Sequence, residues 1–203
     1  MKRILVSVCA AIATTALVAV APAGARAGTT GETMAERPAA AKKNPGISLD
    51  VINSLPAELR NDPTLVVDSS YEIGTPIVRP DGTPVPGQSR AAMAAAAACG
   101  RRGGTVVAVG TGRWSGVSKS GCSILGRPGW VVGYSWARAQ NVRSTGCVQG
   151  LGFNARGQAT WQAIGICGTS GRRGVPWGNV LATPKVRART AVIPLGFVAT
   201  WRH

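Results

Sequence analysis

Arginine and tryptophan side chains occur close together at several points in the second half of this 203-residue chain. An arginine presents a planar fork of donors that suits phosphate, sulfate and carboxylate groups. A tryptophan offers a flat apolar face, suited to sugar rings or bases, and an indole N–H. Together they predict a surface that binds an anionic polymer or envelope surface and needs no cofactor. The candidate binding residues are Arg113, Trp114, Trp136, Arg138, Arg172, Arg173, Trp177, Arg187, Arg189, Trp201 and Arg202.

Arg187 and Arg189 alternate with Val186 and Ala188 in one short segment. Successive side chains of a strand point to opposite faces, so we expect these two arginines to share one wet face. Such a face is more often simply solvated than specific. The six tryptophans are first of all core material, and we expect four of the six to be substantially buried. The collective charge is therefore the stronger indication of binding.

Charge is divided sharply along the chain. All eight acidic residues precede Gly82, whereas the stretch from Gly82 to His203 has fifteen Lys or Arg and no Asp or Glu. The segment 28–81 has five basic and eight acidic residues, a net charge of 5 − 8 = −3. Fifteen uncompensated positive charges repel one another and are screened best by an external anion. The mildly acidic N-terminal segment is itself a candidate partner for the cationic body.

Several kinds of chemistry lack their residues in the cationic body. General acid–base catalysis uses His, Asp or Glu, and the body has only His203 at its end. Neither a Ser-His-Asp triad nor a pair of catalytic carboxylates can be assembled within it. Calcium, magnesium and catalytic zinc sites lack their ligands as well. We predict that the protein is not an enzyme and binds no metal, unless a site borrows Asp68, Glu72 or Asp81 from the N-terminal segment.

The first 27 residues have the pattern of a secretory signal peptide. A basic start (Met1-Lys2-Arg3) is followed by an apolar run and by an Ala25-Arg26-Ala27 cleavage site. The alternative is an uncleaved membrane anchor. No later segment has the length of apolar sequence needed to span a membrane, so we expect a secreted, extracellular or cell-wall-associated protein. The bias towards Ala, Gly, Val and Arg is typical of a high-GC bacterial genome.

Four cysteines follow the predicted signal peptide: Cys99, Cys122, Cys147 and Cys167. An even number in an exported chain predicts two disulfides, with three possible pairings. A zinc site is disfavoured because zinc ligands usually come in closely spaced pairs, and no such pair occurs.

Residues 28–98 are rich in Pro and Ala and predict a flexible leader or pro-region with short elements. These include a helix opening at Ser54, extended pieces around a Pro-Asp-Gly turn, and an Ala-rich helix or linker over 91–98. From 99 to 203 the pattern is that of a small antiparallel β-sandwich or barrel stapled by two disulfides. Strands are predicted over 105–110, 130–140, 147–153, 159–167, 179–182, 185–190 and 196–203, and turns at 126–129, 143–146, 154–157 and 169–174.

These observations predict a secreted cationic binding protein that associates with anionic cell-wall or envelope polymers, with antimicrobial action as one use of that binding. A first alternative is a secreted inhibitor of extracellular proteases or glycosidases, presenting a loop that carries Arg127, Arg172 or Arg173 to an enzyme cleft. A second alternative is a structural or coat protein whose charge matters only for packing.

Overall fold

Twelve strands and four short helices make up the part of the chain that the computed structural model describes, residues 37–99 and 103–203. The predicted signal peptide, the first residues of the predicted leader, and Arg101 and Arg102 lie outside these ranges. The helices are α1 (Ala39–Lys43), α2 (Leu49–Asn53), α3 (Ala57–Arg60) and α4 (Arg90–Ala96). The strands are β1 (Val66–Val67), β2 (Ile77–Val78), β3 (Gly103–Ala108), β4 (Ser118–Lys119), β5 (Ser123–Leu125), β6 (Val131–Arg138), β7 (Gly146–Phe153), β8 (Ala159–Ala163), β9 (Ser170–Pro176), β10 (Val180–Ala182), β11 (Lys185–Thr190) and β12 (Phe197–Arg202).

Two antiparallel sheets enclose the main core, which confirms the predicted all-β class. Their strand orders are β3-β12-β6-β9 and β4-β11-β7-β8. Large and small side chains alternate in β6, where Tyr134 and Trp136 are buried while Val131 and Gly133 face outwards. Inward side chains from both sheets, including Phe197, pack into one cluster. The sheets are thus held together mainly by burial of aromatic and β-branched groups.

The described part of the predicted leader, residues 37–98, packs on the body. Its strand β1 runs parallel to β10 and its strand β2 runs parallel to β5, which completes a third sheet of order β1-β10-β5-β2. Leu181 of β10 is fully buried in a second core formed with leader side chains such as Ile52 and Leu65. These residues are therefore docked, where the sequence led us to expect a flexible segment.

Both predicted disulfides are present, and the structure decides between the three pairings. Cys99 is bonded to Cys122, and Cys147 is bonded to Cys167. The first bridge ties the end of the leader to the segment just before β5. The second ties the start of β7 to the connection between β8 and β9. No helix among residues 37–99 and 103–203 is long and apolar enough to cross a membrane.

The segment 169–174 differs from the prediction, which made it a turn. Most of it belongs to β9, which pairs with β6 along its whole length and places Arg173 beside Tyr134. Glycine makes this pairing possible, because a Cβ on Gly171 would overlap the carbonyl oxygen of Ile164 and the indole nitrogen of Trp136.

The helix predicted to open at Ser54 begins instead at Ala57, after Pro56.

Candidate functional site

Three cations stand in a row on the outer face of β11. Its alternate residues Val186 and Ala188 are buried, so Lys185, Arg187 and Arg189 lie on the opposite face. At a rise of about 3.3 Å per residue, the row is roughly 13 Å long from the first cation to the third. The predicted shared face of Arg187 and Arg189 is therefore confirmed, although Arg187 is half-buried rather than freely solvated.

Arg187 lies between two tryptophan rings. Its guanidinium carbon is 4.9 Å from the centroid of Trp114 and 4.6 Å from the centroid of Trp161. Arg189 contacts Trp114 as well, with its guanidinium carbon 5.1 Å from the ring centroid. On the neighbouring strand Gln149 accepts a hydrogen bond of 2.9 Å from Arg187 Nε. We call Trp114, Gln149, Trp161, Arg187 and Arg189 the arginine–tryptophan face.

Different parts of the fold supply these side chains. Strand register sets Gln149 directly opposite Arg187. Trp161 enters from β8, on the far side of β7, where it pairs with Leu151. Trp114 comes from the segment before β4, which is held along β11 by two hydrogen bonds: Ser115 N donates to the Ala188 carbonyl (2.7 Å), and Ala188 N donates to Ser115 Oγ (3.0 Å).

The positive charge of this face is not neutralised by any acidic side chain from Gly82 onwards. Burial lowers the pKa of Arg187, but a guanidinium stays charged in proteins. Among the residues described, only Gln149 accepts a hydrogen bond from Arg187, and none accepts one from the guanidinium of Arg189. No Asp or Glu occurs from Gly82 onwards to neutralise either charge. The outer nitrogens of both forks are therefore available to oxygens of a bound anion.

At the start of β11 the cations do meet carboxylates of the leader. Lys119, opposite Lys185 in the sheet, forms an ion pair of 2.6 Å with Glu72. That hydrogen bond and the lysine charge hold the pKa of Glu72 below its ordinary value. Burial lowers the pKa of Lys185, while the nearby charge of Asp68 raises it. The uncompensated part of the row is thus its Arg187–Arg189 end.

Three of the predicted binding tryptophans are core residues, which corrects their assignment. Trp136, Trp177 and Trp201 are buried. Their indole N–H groups are used internally, with the carbonyl of Ile164 (2.7 Å), the carbonyl of Val180 (3.0 Å) and Ser118 Oγ (2.8 Å) as the respective acceptors. The other three tryptophans are half-buried, two of them against the core, so only Trp114 lies outside the core clusters.

The remaining predicted arginines are dispersed. Arg113 is exposed beside Trp114, whereas Arg138 is held by the carbonyl oxygens of the loop after β6. Arg173 donates to the carbonyl of Ala163, within a strand rather than the loop that an inhibitor would present. Arg172 and Arg202 line a cleft of about 760 Å³ whose other wall includes leader residues.

His203, the last residue, is partly buried at this cleft. Its Nε2 lies 2.9 Å from Ser120 Oγ. Burial lowers the pKa of His203 from 6.5 to about 4, so the ring is neutral at neutral pH. Ser120 is buried, and no described carboxylate bonds to the imidazole. Within residues 37–99 and 103–203, no group of three or more His, Cys, Asp or Glu is placed so that it could hold a metal ion.

Trp161 and Gln149 are the members of the face that the sequence did not suggest. Neither is adjacent to an arginine in the chain, and only the register of β7 with β11 and β8 brings them to Arg187.

Comparisons with protein-family models, curated proteins and solved structures find no match to this chain.

Proposed function

We propose that this is a secreted cationic binding protein whose arginine–tryptophan face binds anionic polymers of the cell wall. One observation carries the proposal: two arginine forks are stacked against tryptophan in a region of the sequence without any carboxylate. Two disulfides fit an extracellular protein, since such bonds persist in oxidising compartments.

Binding would begin with accumulation of the anionic polymer by the net positive charge. Phosphate or carboxylate groups would then accept hydrogen bonds from the free fork edges of Arg187 and Arg189. The exposed part of Trp114 offers a surface against which a sugar ring can stack. Since the arginine pair and Trp114 are adjacent, one repeat unit that carries both an anionic group and a ring fits this face better than an isolated ion does.

The test is co-sedimentation of the oxidised protein with purified, lipid-free cell walls at low and high salt. We expect pelleting at low salt that falls steeply as salt rises, because added salt screens the charges and reduces the entropy gained when counterions are released on binding. Replacing Arg187 and Arg189 by Gln should weaken binding by about tenfold or more, since each hydrogen bond to a charged group is worth about 1.5–3 kcal/mol.

The matched control removes two positive charges elsewhere: Arg127→Gln with Arg156→Gln, both exposed in turns. It should reduce binding only slightly. Equal losses in the two variants would mean that net charge alone causes binding, and would contradict a defined face. Arg187→Lys separates charge from shape, because a lysine keeps the charge but loses the planar fork; we expect it to rescue little of the binding.

A further inference from the structure

Four connections of the body meet at one end of the two core sheets. They are the turn after β3 (109–113) and the loops 139–145, 164–169 and 191–196. Strand register places them together: Ala108 at the end of β3 is opposite Phe197 at the start of β12, and Gly146 at the start of β7 is opposite Thr190 at the end of β11. We call these four segments the loop end.

Direct contacts join these loops to one another. Ala191 N donates to the carbonyl of Thr145 at 2.9 Å, and Ser144 Oγ donates to the carbonyl of Gly196. Gly168 exchanges two backbone hydrogen bonds with Gly146, which follows the loop 139–145. The Ile193 side chain lies against Gly112. The loop end is therefore one continuous part of the surface.

This part of the surface is unusually apolar. The three most exposed large hydrophobic side chains of the described chain all lie on it: Ile166 at 86%, Ile193 at 66% and Val109 at 64% exposure. Val192 and Leu195 are exposed beside them. Concentrated apolar exposure of this kind marks an interaction site, because each such group is solvated at a cost that burial would remove.

The same loops carry positive charge and no negative side chain. Arg113 and Arg143 lie in the same loops and are exposed. No Asp or Glu occurs anywhere in residues 103–203, so the loop end carries no negative side chain. The described leader–body ion pair, Glu72 with Lys119, forms opposite Lys185 at the start of β11, whereas the loop end follows the end of that strand.

We propose that the loop end docks onto an anionic lipid bilayer. Separate apolar tips on three of these loops (109–113, 164–169 and 191–196) match a fluid medium better than a rigid protein face, because hydrocarbon can fill the spaces between them. Ile166, Ile193 and Leu195 enter the boundary between headgroups and acyl chains, while Arg113 and Arg143 contact lipid phosphates. This surface differs from the arginine–tryptophan face, and the proposal does not depend on polymer binding.

The experiment measures co-sedimentation of the oxidised secreted protein, without the predicted signal peptide of residues 1–27, with vesicles of phosphatidylcholine, with and without phosphatidylglycerol. We expect binding to the anionic vesicles that is reduced but not abolished at high salt, because the apolar contribution is not screened. Ile193→Ser with Leu195→Ser should weaken this binding by about tenfold or more, since two partly inserted aliphatic side chains are lost. The same variant should still pellet with lipid-free cell walls.

The matched control is Ile73→Ser with Leu49→Ser, two leader side chains of similar exposure (58% and 46%, against 66% and 48% for Ile193 and Leu195). It should bind vesicles like the unmodified protein, and near-ultraviolet circular dichroism should show that both variants are folded. Absence of binding to anionic vesicles, or equal losses in the two variants, would overturn the proposal. Concentration-dependent self-association that only the Ile193/Leu195 variant abolishes would instead assign the loop end to a second copy of this chain.

Discussion

Arg187 is held in position before any ligand arrives. Two indole rings flank its guanidinium and Gln149 accepts from its Nε, so its long side chain has little freedom left to lose. Ordering a flexible side chain at an interface costs about 0.5–1.5 kcal/mol. A guanidinium that is already ordered, and still has free fork edges, binds an anion without that cost. Most of the other predicted arginines lack such support.

His203 makes the free energy of unfolding depend on pH. Burial lowers its pKa from the ordinary value of 6.5 to about 4 in the folded protein. The unfolded chain therefore binds a proton more readily between these two values, and the free energy of unfolding falls as pH drops from about 6.5 to about 4. A full shift of this size corresponds to about 3 kcal/mol.

Replacing His203 by Gln should flatten this part of the stability profile. At neutral pH we expect urea titrations to give a free energy of unfolding lower by at most about 1 kcal/mol, the usual contribution of one hydrogen bond. Glutamine can partly replace the hydrogen bond between His203 and Ser120. Near the lower end of the pH range the variant should be the more stable protein. If the unmodified protein and the variant lose stability in parallel as pH falls, carboxylates of the leader rather than His203 cause the acid sensitivity.

At the scale of the element, β9 depends on the close approach of Gly171 to neighbouring parts of the chain. A Cβ on Gly171 would overlap the Ile164 carbonyl oxygen and the Trp136 indole nitrogen, the two atoms of a hydrogen bond between β6 and the end of β8. Gly171→Ala should therefore destabilise the protein by about 1–3 kcal/mol, the range for overpacking a fixed interior.

Gly174→Ala is the control on the same strand. Its Cβ would meet only the side chain of Val131, at ordinary contact distances of 3.5 Å from Cγ2 and 3.9 Å from Cβ. We expect a change within about 0.5 kcal/mol, as for most surface substitutions. Chemical denaturation of both variants checks the pair. Similar stabilities would show that β9 adjusts easily and that the sheet edge is loose.

The sequence predicts β6, β11 and β12 by a clear alternation of side chains along each strand. Runs rich in Val, Ile, Trp and Thr between Gly-containing turns predict β3, β7, β8 and β10. β9 was missed because Gly-Arg-Arg-Gly has the composition of a turn, and only its neighbour β6 makes it a strand. The site was half predictable for a similar reason. Arg187, Arg189 and Trp114 stand out by residue type, whereas Trp161 reaches them only through long-range register.

At the scale of the whole molecule, the acidic leader and the cationic body differ in charge but share one sheet. The leader carries the acidic residues and the body carries no carboxylate after Gly82. Nevertheless both edge strands of the third sheet, β1 and β2, belong to the leader. Removal of the leader as a pro-region would strip both edges and expose the second core. The structure therefore favours a leader that stays with the body.

Leu181 tests whether leader and body unfold together. It is fully buried, opposite Val67 of β1, and its carbonyl accepts a 3.0 Å hydrogen bond from Asp68 N. Leu181→Ala leaves a cavity in the second core and should cost about 2–5 kcal/mol. All six tryptophans lie in the body, so their fluorescence reports its unfolding, while hydrogen exchange at Val67 reports the leader.

If leader and body form one cooperative unit, the urea midpoints from fluorescence and from hydrogen exchange should fall by the same amount in Leu181→Ala. The reason is that a cavity in a shared core destabilises both parts when they unfold together. Leu49→Ala is the control, since that side chain is exposed on α2 and its loss should change neither measurement by more than about 0.5 kcal/mol. Loss of protection at Val67 with unchanged tryptophan fluorescence would mean that the leader detaches alone, as a removable pro-region does.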